Sequence, residues 1–385
     1  MHLDYDYIIC GAGASGLSLA TAFSLDPLFS KIKILIIDPD FPKVVNDRTW
    51  CFWEEKESSW DEMIFHSWKN VLFKSDNFNK NLSLSPFVYK MLKSKSRYNY
   101  SNQIISKNSN INSSKAKVLN VLDNGAYCEV KTSSGVYRSK KVFNSILNWD
   151  LINNTQKYPL LIQHFEGWFI ETEEDFFNTN EATFMDFSIN QNSNTRFMYV
   201  LPFSKKEALI EYTLFSKNLL NQNEYEDALN EYLKNLGIEK FSIKSKESGK
   251  IPMTVFPFEK QNSKNILYIG TAGGWSKPST GYTFKNIERK TKTLVEFLKE
   301  NDTNFIKFSK KTRFWYYDLI FLDVLFQNNH LGSKLFIEMF KKNSPNMIFK
   351  FLNEQTSFFE EIKIMLSFPK GIFIKTILKR ILKIK

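Results

Sequence analysis

The chain has 385 residues, 43% of them hydrophobic and 24% charged, and a formal net charge of +11 at pH 7. This length allows two domains with a sizeable core, and the proportions of hydrophobic and charged residues exclude a disordered chain. The three cysteines show no CxxC spacing, which predicts neither disulfide bonds nor a metal site. The sequence shows no signal peptide and no run of about eighteen apolar residues, and we therefore expect a cytoplasmic protein.

The first forty residues have the order strand, glycine turn, helix, strand. The apolar segment 5–10 is followed by GAGASG, and a second strand at 33–37 ends in an aspartate. In a GxGxxG turn the first glycine allows the tight turn, the second lets the backbone approach a pyrophosphate, and the third lets helix and strand pack closely. The acid after the second strand accepts hydrogen bonds from ribose. The residues that we expect to bind the dinucleotide are Gly11, Gly13, Ser15, Gly16 and Asp38.

The next hundred residues are less regular. Beyond residue 42 the periodicity weakens, and the sequence predicts a tryptophan-rich loop. The Asn/Ser/Lys-rich segment 101–117 is predicted to be a mobile loop, because it can bury little. Residues 117–142 predict a hairpin, since turn residues interrupt its apolar segments at 124–125 and 133–135.

The middle of the chain alternates like antiparallel strands, and a second glycine-rich turn follows it. Residues 155–258 alternate, with one helix near 223–236. A strand-turn-helix pattern then begins near 265, with Gly270, Gly273 and Gly274 in its turn. The first glycine motif alone does not distinguish FAD from NAD, whereas a second glycine-rich turn favours FAD, whose flavin must reach across the domain.

These patterns predict an α/β fold. It comprises a Rossmann-like FAD-binding domain, an inserted antiparallel-sheet substrate domain and a C-terminal helical region. The predicted boundaries are 1–150 with 260–300 for the FAD domain, 151–259 for the substrate domain, and 301–385 for the basic helical region with a membrane-facing tail.

Two acidic residues in the middle segment are candidates for proton transfer. Glu211 lies within an apolar strand, and alternation places it on the face opposite to Ile210 and Tyr212. A carboxyl desolvated there has a raised pKa and can act as a general acid. Asp186, within FMDF, offers the same chemistry. The alternative for both residues is an exposed strand carboxylate.

The C-terminal tail is basic and amphipathic. Seven Lys and Arg residues follow the last acid, Glu361, and apolar residues between 373 and 382 recur at helical spacing. This pattern is typical of a helix that lies on an anionic membrane surface. A terminal helix packed on the protein is the alternative. A nucleic-acid arm is disfavoured because stacking aromatics are not interleaved with the cations.

The chain resembles the bacterial lycopene cyclases nearly from end to end. The motifs that carry the resemblance are GAGASGL at 11–17, NDRTWCFW at 46–53, FMDF at 184–187, LIEYT at 209–213, IPMT at 251–254 and AGGWSKPSTGY at 272–282. The resemblance implies a peripheral protein on the inner face of the cell membrane. It implies that lycopene or another linear carotene is converted to a product with β-ionone rings, using reduced FAD with NAD(P)H as electron source and no net redox change.

The resemblance also implies roles for individual residues. The first glutamate of the family's Phe-Leu-Glu-Glu-Thr motif falls on Glu211, whereas its second falls on Tyr212, and Lys277 stands where histidine is usual. The catalytic candidates are Glu211 and Asp186. The further cofactor candidates are Arg48, Thr49, Gly270, Gly273, Gly274, Pro278, Thr280, Gly281 and Tyr282. Those expected to face substrate or carbocation are Trp50, Trp53, Tyr212 and Trp275.

Three other functions compete with cyclisation. A flavin-dependent monooxygenase and a prenyl or geranylgeranyl reductase share the predicted fold, but aromatic hydroxylases usually carry Gly-Asp at the second flavin motif, where this chain has Gly270-Thr271. A non-catalytic carotenoid- or flavin-binding protein on the membrane surface is the third, and in it Glu211 would be dispensable.

Overall fold

The computed structural model describes residues 3–55, 58, 60–155, 157–300 and 303–383. Its helices are α1 (Ala14–Leu25), α2 (Ser94–Ile105), α3 (Trp149–Asn153), α4 (Gln222–Asn235), α5 (Phe284–Leu298), α6 (Arg313–Gln327), α7 (Gly332–Lys342), α8 (Pro345–Leu352), α9 (Phe358–Met365) and α10 (Lys370–Lys383).

The strands are β1 (Tyr5–Cys10), β2 (Ile34–Ile37), β3 (Thr49–Glu54), β4 (His66–Trp68), β5 (Asn70–Ser75), β6 (Phe78–Ser83), β7 (Val88–Lys93), β8 (Ile111–Ser114), β9 (Val118–Asp123), β10 (Cys128–Thr132), β11 (Gly135–Asn144), β12 (Leu160–Thr172), β13 (Glu181–Asp186), β14 (Thr195–Pro202), β15 (Glu207–Ser216), β16 (Phe241–Thr254) and β17 (Ile266–Tyr268). The chain forms two compact units. The first comprises residues 1–50, 93–158 and 255–313, and the second comprises 51–92, 159–254 and 314–385.

The first unit is built on a seven-stranded sheet. Strands β8, β2, β1, β11 and β17 are parallel, and β10 and β9 extend the sheet as antiparallel strands. Apolar residues of α1, α2 and α5 cover one face, where Ile9 and Phe23 are buried. The strand-helix-strand order and the hairpin agree with the prediction. The helix after the second glycine turn does so as well, since α5 begins at Phe284.

The prediction of a mobile loop at 101–117 was wrong. Residues 94–105 form α2, and 111–114 form the edge strand β8. The helix forms because Tyr98 and Ile105 are buried against the core of the unit, and Thr21 of α1 donates a hydrogen bond to the Ser101 hydroxyl over 3.1 Å. Tertiary burial therefore orders a segment whose polar composition favoured a loop.

The second unit contains a seven-stranded sheet in the order β16-β12-β15-β14-β13-β5-β6. Helix α4 covers one face, where Tyr225, Leu229 and Leu233 pack on Trp168 and Ile210. On the other face, aromatic side chains of the sheet pack on those of α7 and α8. These rings belong to Phe184, Phe197, Phe215, Phe336, Phe340 and Phe349.

The tryptophan-rich segment is also more ordered than predicted. Residues 49–54 form β3, which joins β7 and β4 in a three-stranded sheet. Trp53 and Trp68 are buried, which explains why the segment adopts a strand instead of a loop. Strands β5 and β6 lie in the large sheet of the second unit, although the sequence prediction had assigned residues 1–150 to the FAD domain.

Candidate functional site

The glycine turn of the first unit links β1 to α1. Gly11 has φ +93°, and an ideal Cβ on Gly16 would lie 1.9 Å from the Gly11 carbonyl oxygen. Only glycine allows this close approach of helix and strand. At Gly13 an added Cβ would meet no atom within 4 Å, so open space lies over the backbone at the start of α1. A phosphate placed there would meet the N–H groups and the positive dipole of the helix.

Asp38 follows β2 and closes the same turn. Its carboxylate accepts hydrogen bonds from the backbone N–H of Ala12 over 2.7 Å and from that of Asp40 over 2.9 Å. The side chain is 7% exposed. It lies at the carboxyl end of the parallel strands, which is where open α/β sheets bind their ligands.

The second glycine turn touches the first. Gly270 follows β17 with φ +62°, and an ideal Cβ there would lie 2.4 Å from the Ser15 hydroxyl oxygen. Gly274 and Gly281 also have positive φ. An ideal Cβ on Gly273 would lie 2.1 Å from the Tyr268 carbonyl oxygen. The predicted glycines are thus required by the backbone, and they bring the turn after β17 to the N-terminus of α1.

The segment after these glycines folds into a tight turn. The Gly281 N–H donates to the Lys277 carbonyl over 2.8 Å, and the Lys277 N–H donates to the Tyr282 carbonyl over 2.8 Å, so Pro278 and Thr280 lie inside a closed loop. The Thr280 hydroxyl is buried and has no hydrogen-bond partner in the described part of the chain. An unsatisfied buried hydroxyl is costly, and a bound polar ligand would satisfy it.

Arg48 lies just before β3 and Thr49 is the first residue of that strand, in a segment attached to α2. The Arg48 N–H donates to the buried Ser94 hydroxyl over 3.0 Å. The Tyr98 hydroxyl donates to the Asp47 carboxylate over 2.8 Å. All the predicted cofactor residues therefore lie in the first unit, where the two glycine turns together form a cradle suited to a dinucleotide.

Two of the predicted substrate-facing residues also lie in the first unit. Trp50 stacks on Phe284 with ring centroids 5.3 Å apart, and Trp275 is 3% exposed within the core beneath α1 and α5. Packing contacts within the first unit explain the position of both side chains. Neither residue lies in the unit that contains Glu211.

Glu211 lies on β15 in the second unit. Ile210 and Tyr212 face α4, and Glu211 faces the opposite side of the sheet, as the alternation predicted. Its direct neighbours across the sheet are Tyr199 on β14 and Gly167 on β12. The Thr213 hydroxyl donates to the Glu211 carboxylate over 2.6 Å.

The surroundings of Glu211 favour its protonated form. Burial raises the pKa of this carboxyl most, the nearby Glu247 carboxylate also raises it, and the hydrogen bond from Thr213 lowers it in part, so that the pKa is about 8. A carboxyl with this pKa holds its proton at neutral pH and can give it to a substrate.

Two neighbours of Glu211, Cys51 and Glu247, were not predicted as site residues. Cys51 on β3 hydrogen-bonds with the Tyr89 hydroxyl, and its pKa is raised by burial and then by the charges of Glu211 and Glu247. Glu247 is 9% exposed on β16. Local sequence gives no signal for Glu247, because its approach to Glu211 depends on pairing between distant strands.

Aromatic rings line the face of the sheet that carries Glu211. Phe184 packs edge-on against Tyr89 at 5.4 Å and Tyr199 at 6.0 Å, measured between ring centroids. It also contacts Phe349, on which Trp53 stacks at 4.6 Å. Of the predicted substrate-facing residues, Trp53 therefore packs against the aromatic rings on the sheet face that carries Glu211.

Asp186 and Tyr212 lie on the other face. The Asp186 carboxylate accepts hydrogen bonds from the Tyr232 hydroxyl over 2.8 Å and from the Ser188 N–H over 2.9 Å. The Tyr212 hydroxyl accepts from the Arg196 guanidinium over 2.7 Å. Asp186 and Tyr212 line a cavity of about 470 Å³ beside α4. The sheet therefore separates these two candidates from Glu211, and the structure does not bring the three residues together.

Helix α10 is amphipathic, and its two faces have different surroundings. Thr376 is 4% exposed, and the Arg380 guanidinium forms a bidentate ion pair with Asp323 of α6 at 2.8 and 3.0 Å. The remaining apolar stripe is 41 to 73% exposed and consists of Ile374, Ile377, Leu378, Ile381 and Leu382. Among the described residues, no helix is both long and apolar enough to cross a membrane.

Three solved structures show how widely this fold is shared. A geranylgeranyl bacteriochlorophyll reductase-like protein from Thermoplasma acidophilum has a TM-score of 0.60 at 13% identity, covering 96% of this chain and 98% of that one. The p-nitrophenol 4-monooxygenase PnpA from Pseudomonas putida has a TM-score of 0.58 at 11% identity, covering 98% of both chains. A mutant of the halogenase PltM in complex with FAD has a TM-score of 0.56 at 11% identity, covering 90% of this chain and 78% of that one. These likenesses confirm the predicted fold class.

Sequence comparison identifies the family. No curated protein sequence matched the chain. The model of the family described as lycopene cyclase protein matches residues 6–377, which is nearly the whole chain and includes both glycine turns and the strand that carries Glu211. The chain therefore belongs to the lycopene cyclase family.

Proposed function

We propose that the protein is an FAD-dependent lycopene cyclase that forms β-ionone rings on linear lycopene and gives γ-carotene or β-carotene. The observation that carries this proposal is the protonated Glu211 on an aromatic sheet face in a chain of the lycopene cyclase family. Glu211 is the proton donor, and Asp186, whose carboxylate is engaged by Tyr232 and Ser188, is not.

The reaction begins with proton transfer. Glu211 gives its proton to the terminal trisubstituted double bond of the carotene, which leaves a tertiary carbocation and a glutamate anion. The neighbouring double bond attacks the cation and closes the ring. The ring then releases a different proton to solvent, which restores a double bond, and Glu211 takes up a proton from solvent for the next turnover. One proton is added and one is lost, so the carotene is neither oxidised nor reduced.

The aromatic face stabilises the cation. The electron-rich faces of Tyr, Trp and Phe attract a cation by about 2 kcal/mol or more when the pair is desolvated. Tyr199 lies directly opposite Glu211, and Phe184, Tyr89 and Trp53 continue the aromatic surface. These rings also exclude water, which would otherwise trap the cation as an alcohol.

FAD is the cofactor that suits the two glycine turns of the first unit. The space over Gly13, the hydroxyl of Thr280 and the carboxylate of Asp38 would hold its pyrophosphate, a polar group of the cofactor and its ribose, respectively. When bound and reduced, FAD supplies a negatively charged ring that stabilises positive charge electrostatically. NAD(P)H is the proposed source of the electrons.

We further propose that α10 attaches the protein to the inner face of the cell membrane, where its carotene substrate is dissolved. Arg380 fixes one side of the helix to α6 and leaves the apolar stripe exposed. Lys375 and Lys379 on the same helix would meet anionic lipid headgroups. Replacing Ile374 and Leu378 by serine should reduce sedimentation with anionic liposomes, whereas serine at the exposed loop residue Leu219 should not. Equal sedimentation of all three proteins would contradict this attachment.

Expression in cells that accumulate lycopene tests the function. Wild-type protein should convert the pigment to cyclic carotenes, and Glu211→Gln should abolish the conversion while retaining FAD. The variant Asp186→Asn is the matched control and should still cyclise. Unchanged lycopene with wild type would contradict the proposal and favour a carotenoid-binding protein, while oxygenated or hydrogenated pigment would favour a monooxygenase or a reductase.

A further inference from the structure

Helix α9 carries a second exposed apolar stripe, separate from that of α10. This α9 stripe is 37 to 82% exposed and consists of Phe358, Phe359, Ile362, Met365 and Leu366. Its members recur at helical spacing, and the two neighbouring rings, Phe358 and Phe359, are 59% and 82% exposed. A contiguous apolar patch of this kind on a folded protein marks an interaction surface.

The opposite side of α9 is fixed to the second unit. Glu361 is fully buried, and its carboxylate accepts hydrogen bonds from the Tyr317 hydroxyl of α6 over 2.9 Å and from the Thr356 hydroxyl over 3.3 Å. Ile364 is fully buried as well. Internal contacts therefore hold the helix in place and leave the α9 stripe directed outward.

The turn between α9 and α10 lies on the same helix, α6. Phe368 contacts Phe321 of α6 with ring centroids 5.9 Å apart and stacks on Phe373 of α10 at 5.2 Å. The ion pair between Arg380 and Asp323 attaches α10 to α6 further along. Because both helices bury the side that faces α6, the two apolar stripes are neighbouring parts of the outer surface of this unit.

The two stripes differ in the charge that surrounds them. Helix α10 exposes three lysines, Lys370, Lys375 and Lys379. On α9 the exposed Lys363 is balanced by the partly exposed Glu360, so the α9 stripe has no net charge around it. Helix α10 therefore suits electrostatic attraction to anionic headgroups, whereas α9 suits burial of apolar surface.

A lipid surface fits these features better than a second copy of the chain. A two-fold interface between copies would bring the like-charged lysines of α10 together, which costs free energy, whereas an anionic membrane meets them with the opposite charge. Helix α9 has eight residues and is about 12 Å long, so it would lie in the interfacial region of a bilayer and not cross it.

We propose that the α9 stripe inserts into the membrane interface and provides attachment that does not depend on lipid charge, while α10 provides the charge-dependent part. This rests on the proposed attachment of α10 and adds a second element to it. Phe349 of α8 contacts Phe184 on the sheet face of the proton donor, and residues 353–357 connect α8 to α9. Insertion of α9 would therefore hold the helix that covers the acid site close to the lipid that dissolves the carotene.

The experiment measures co-sedimentation of the full-length, FAD-bound protein with two kinds of liposome, at low and at high salt. One kind is neutral phosphatidylcholine, and the other also contains anionic phosphatidylglycerol. Phe358→Ser combined with Phe359→Ser should weaken binding to neutral liposomes by about tenfold or more at both salt concentrations. Lys375→Gln combined with Lys379→Gln should weaken binding only to anionic liposomes and only at low salt.

Leu25→Ser combined with Leu28→Ser is the matched control, because these residues are 61% and 69% exposed near the end of α1 in the first unit. This variant should bind both liposomes like wild type. Neutral-liposome binding of the phenylalanine variant equal to that of the control, or a dimer in solution that only the phenylalanine variant lacks, would overturn the insertion of α9. If the phenylalanine variant loses binding but the lysine variant does not, the insertion of α9 stands and the proposed attachment by α10 fails.

Discussion

The raised pKa of Glu211 predicts that this residue makes the fold less stable as the pH rises. The carboxyl has a pKa of about 8 in the folded protein, against 4.5 for a glutamate side chain in the unfolded chain. Below pH 4.5 both states hold the proton, and Glu211 has no effect. Between 4.5 and 8 only the folded state holds it, so the free energy of unfolding falls by about 1.4 kcal/mol per pH unit. Above pH 8 both states are ionised, and the loss is complete.

Glu211→Gln isolates this contribution because glutamine does not titrate. Groups remote from Glu211 titrate alike in both proteins, so the difference between their unfolding free energies reports Glu211 together with its coupling to Glu247 and Cys51. Between about pH 5.5 and pH 7, wild type should lose about 2 kcal/mol relative to the variant. Urea unfolding of both proteins at a series of pH values, at one FAD concentration, measures the difference. Parallel curves across this range would refute the assignment of a raised pKa to Glu211.

Three further predictions concern positions whose surroundings the structure defines. Gly13→Ala should leave the melting temperature of the FAD-free protein unchanged, because the added Cβ meets open space. It should lower the affinity for flavin, measured by fluorescence titration, and an unchanged affinity would exclude a phosphate over Gly13. Asp186→Asn should reduce the free energy of unfolding by about 1 to 3 kcal/mol through its weakened bond from Tyr232, with cyclisation retained. Gly167→Ala should lower the pKa of Glu211, measured by infrared titration of its carboxyl band, by separating it from Glu247, and an unchanged pKa would show that the glycine is not needed.

The parts of the fold that were predictable depend on short-range patterns. The turn from Gly11 to Gly16 and the acid at Asp38 follow from residues within one strand-helix-strand unit. The side of the sheet that Glu211 faces follows from alternation along one strand. Helix α2 was missed because most of its residues are polar. Its few buried residues, such as Tyr98 and Ile105, stabilise the helix by packing on the core.

The composition of the acid site was not predictable in the same way. Glu247 meets Glu211 only because both pair with β12 in one register, and a shift of that register by one residue would place Glu247 on the opposite face. Asp186 resembled Glu211 as an acid in an apolar strand, yet its carboxylate ties β13 to Tyr232 of α4. Strand pairing between distant segments, which no local pattern encodes, distinguishes the two acids.

Cyclisation in heavy water tests the central claim most directly. Purified protein with reduced FAD would be given lycopene in anionic liposomes in D2O without oxygen, and the products analysed by mass spectrometry. If Glu211 adds a solvent-exchanged proton to carbon and a different proton is lost, each ring formed should contain one deuterium, and FAD should remain reduced. Cyclic product without deuterium, or product that has gained two hydrogens while FAD is oxidised, would contradict the account.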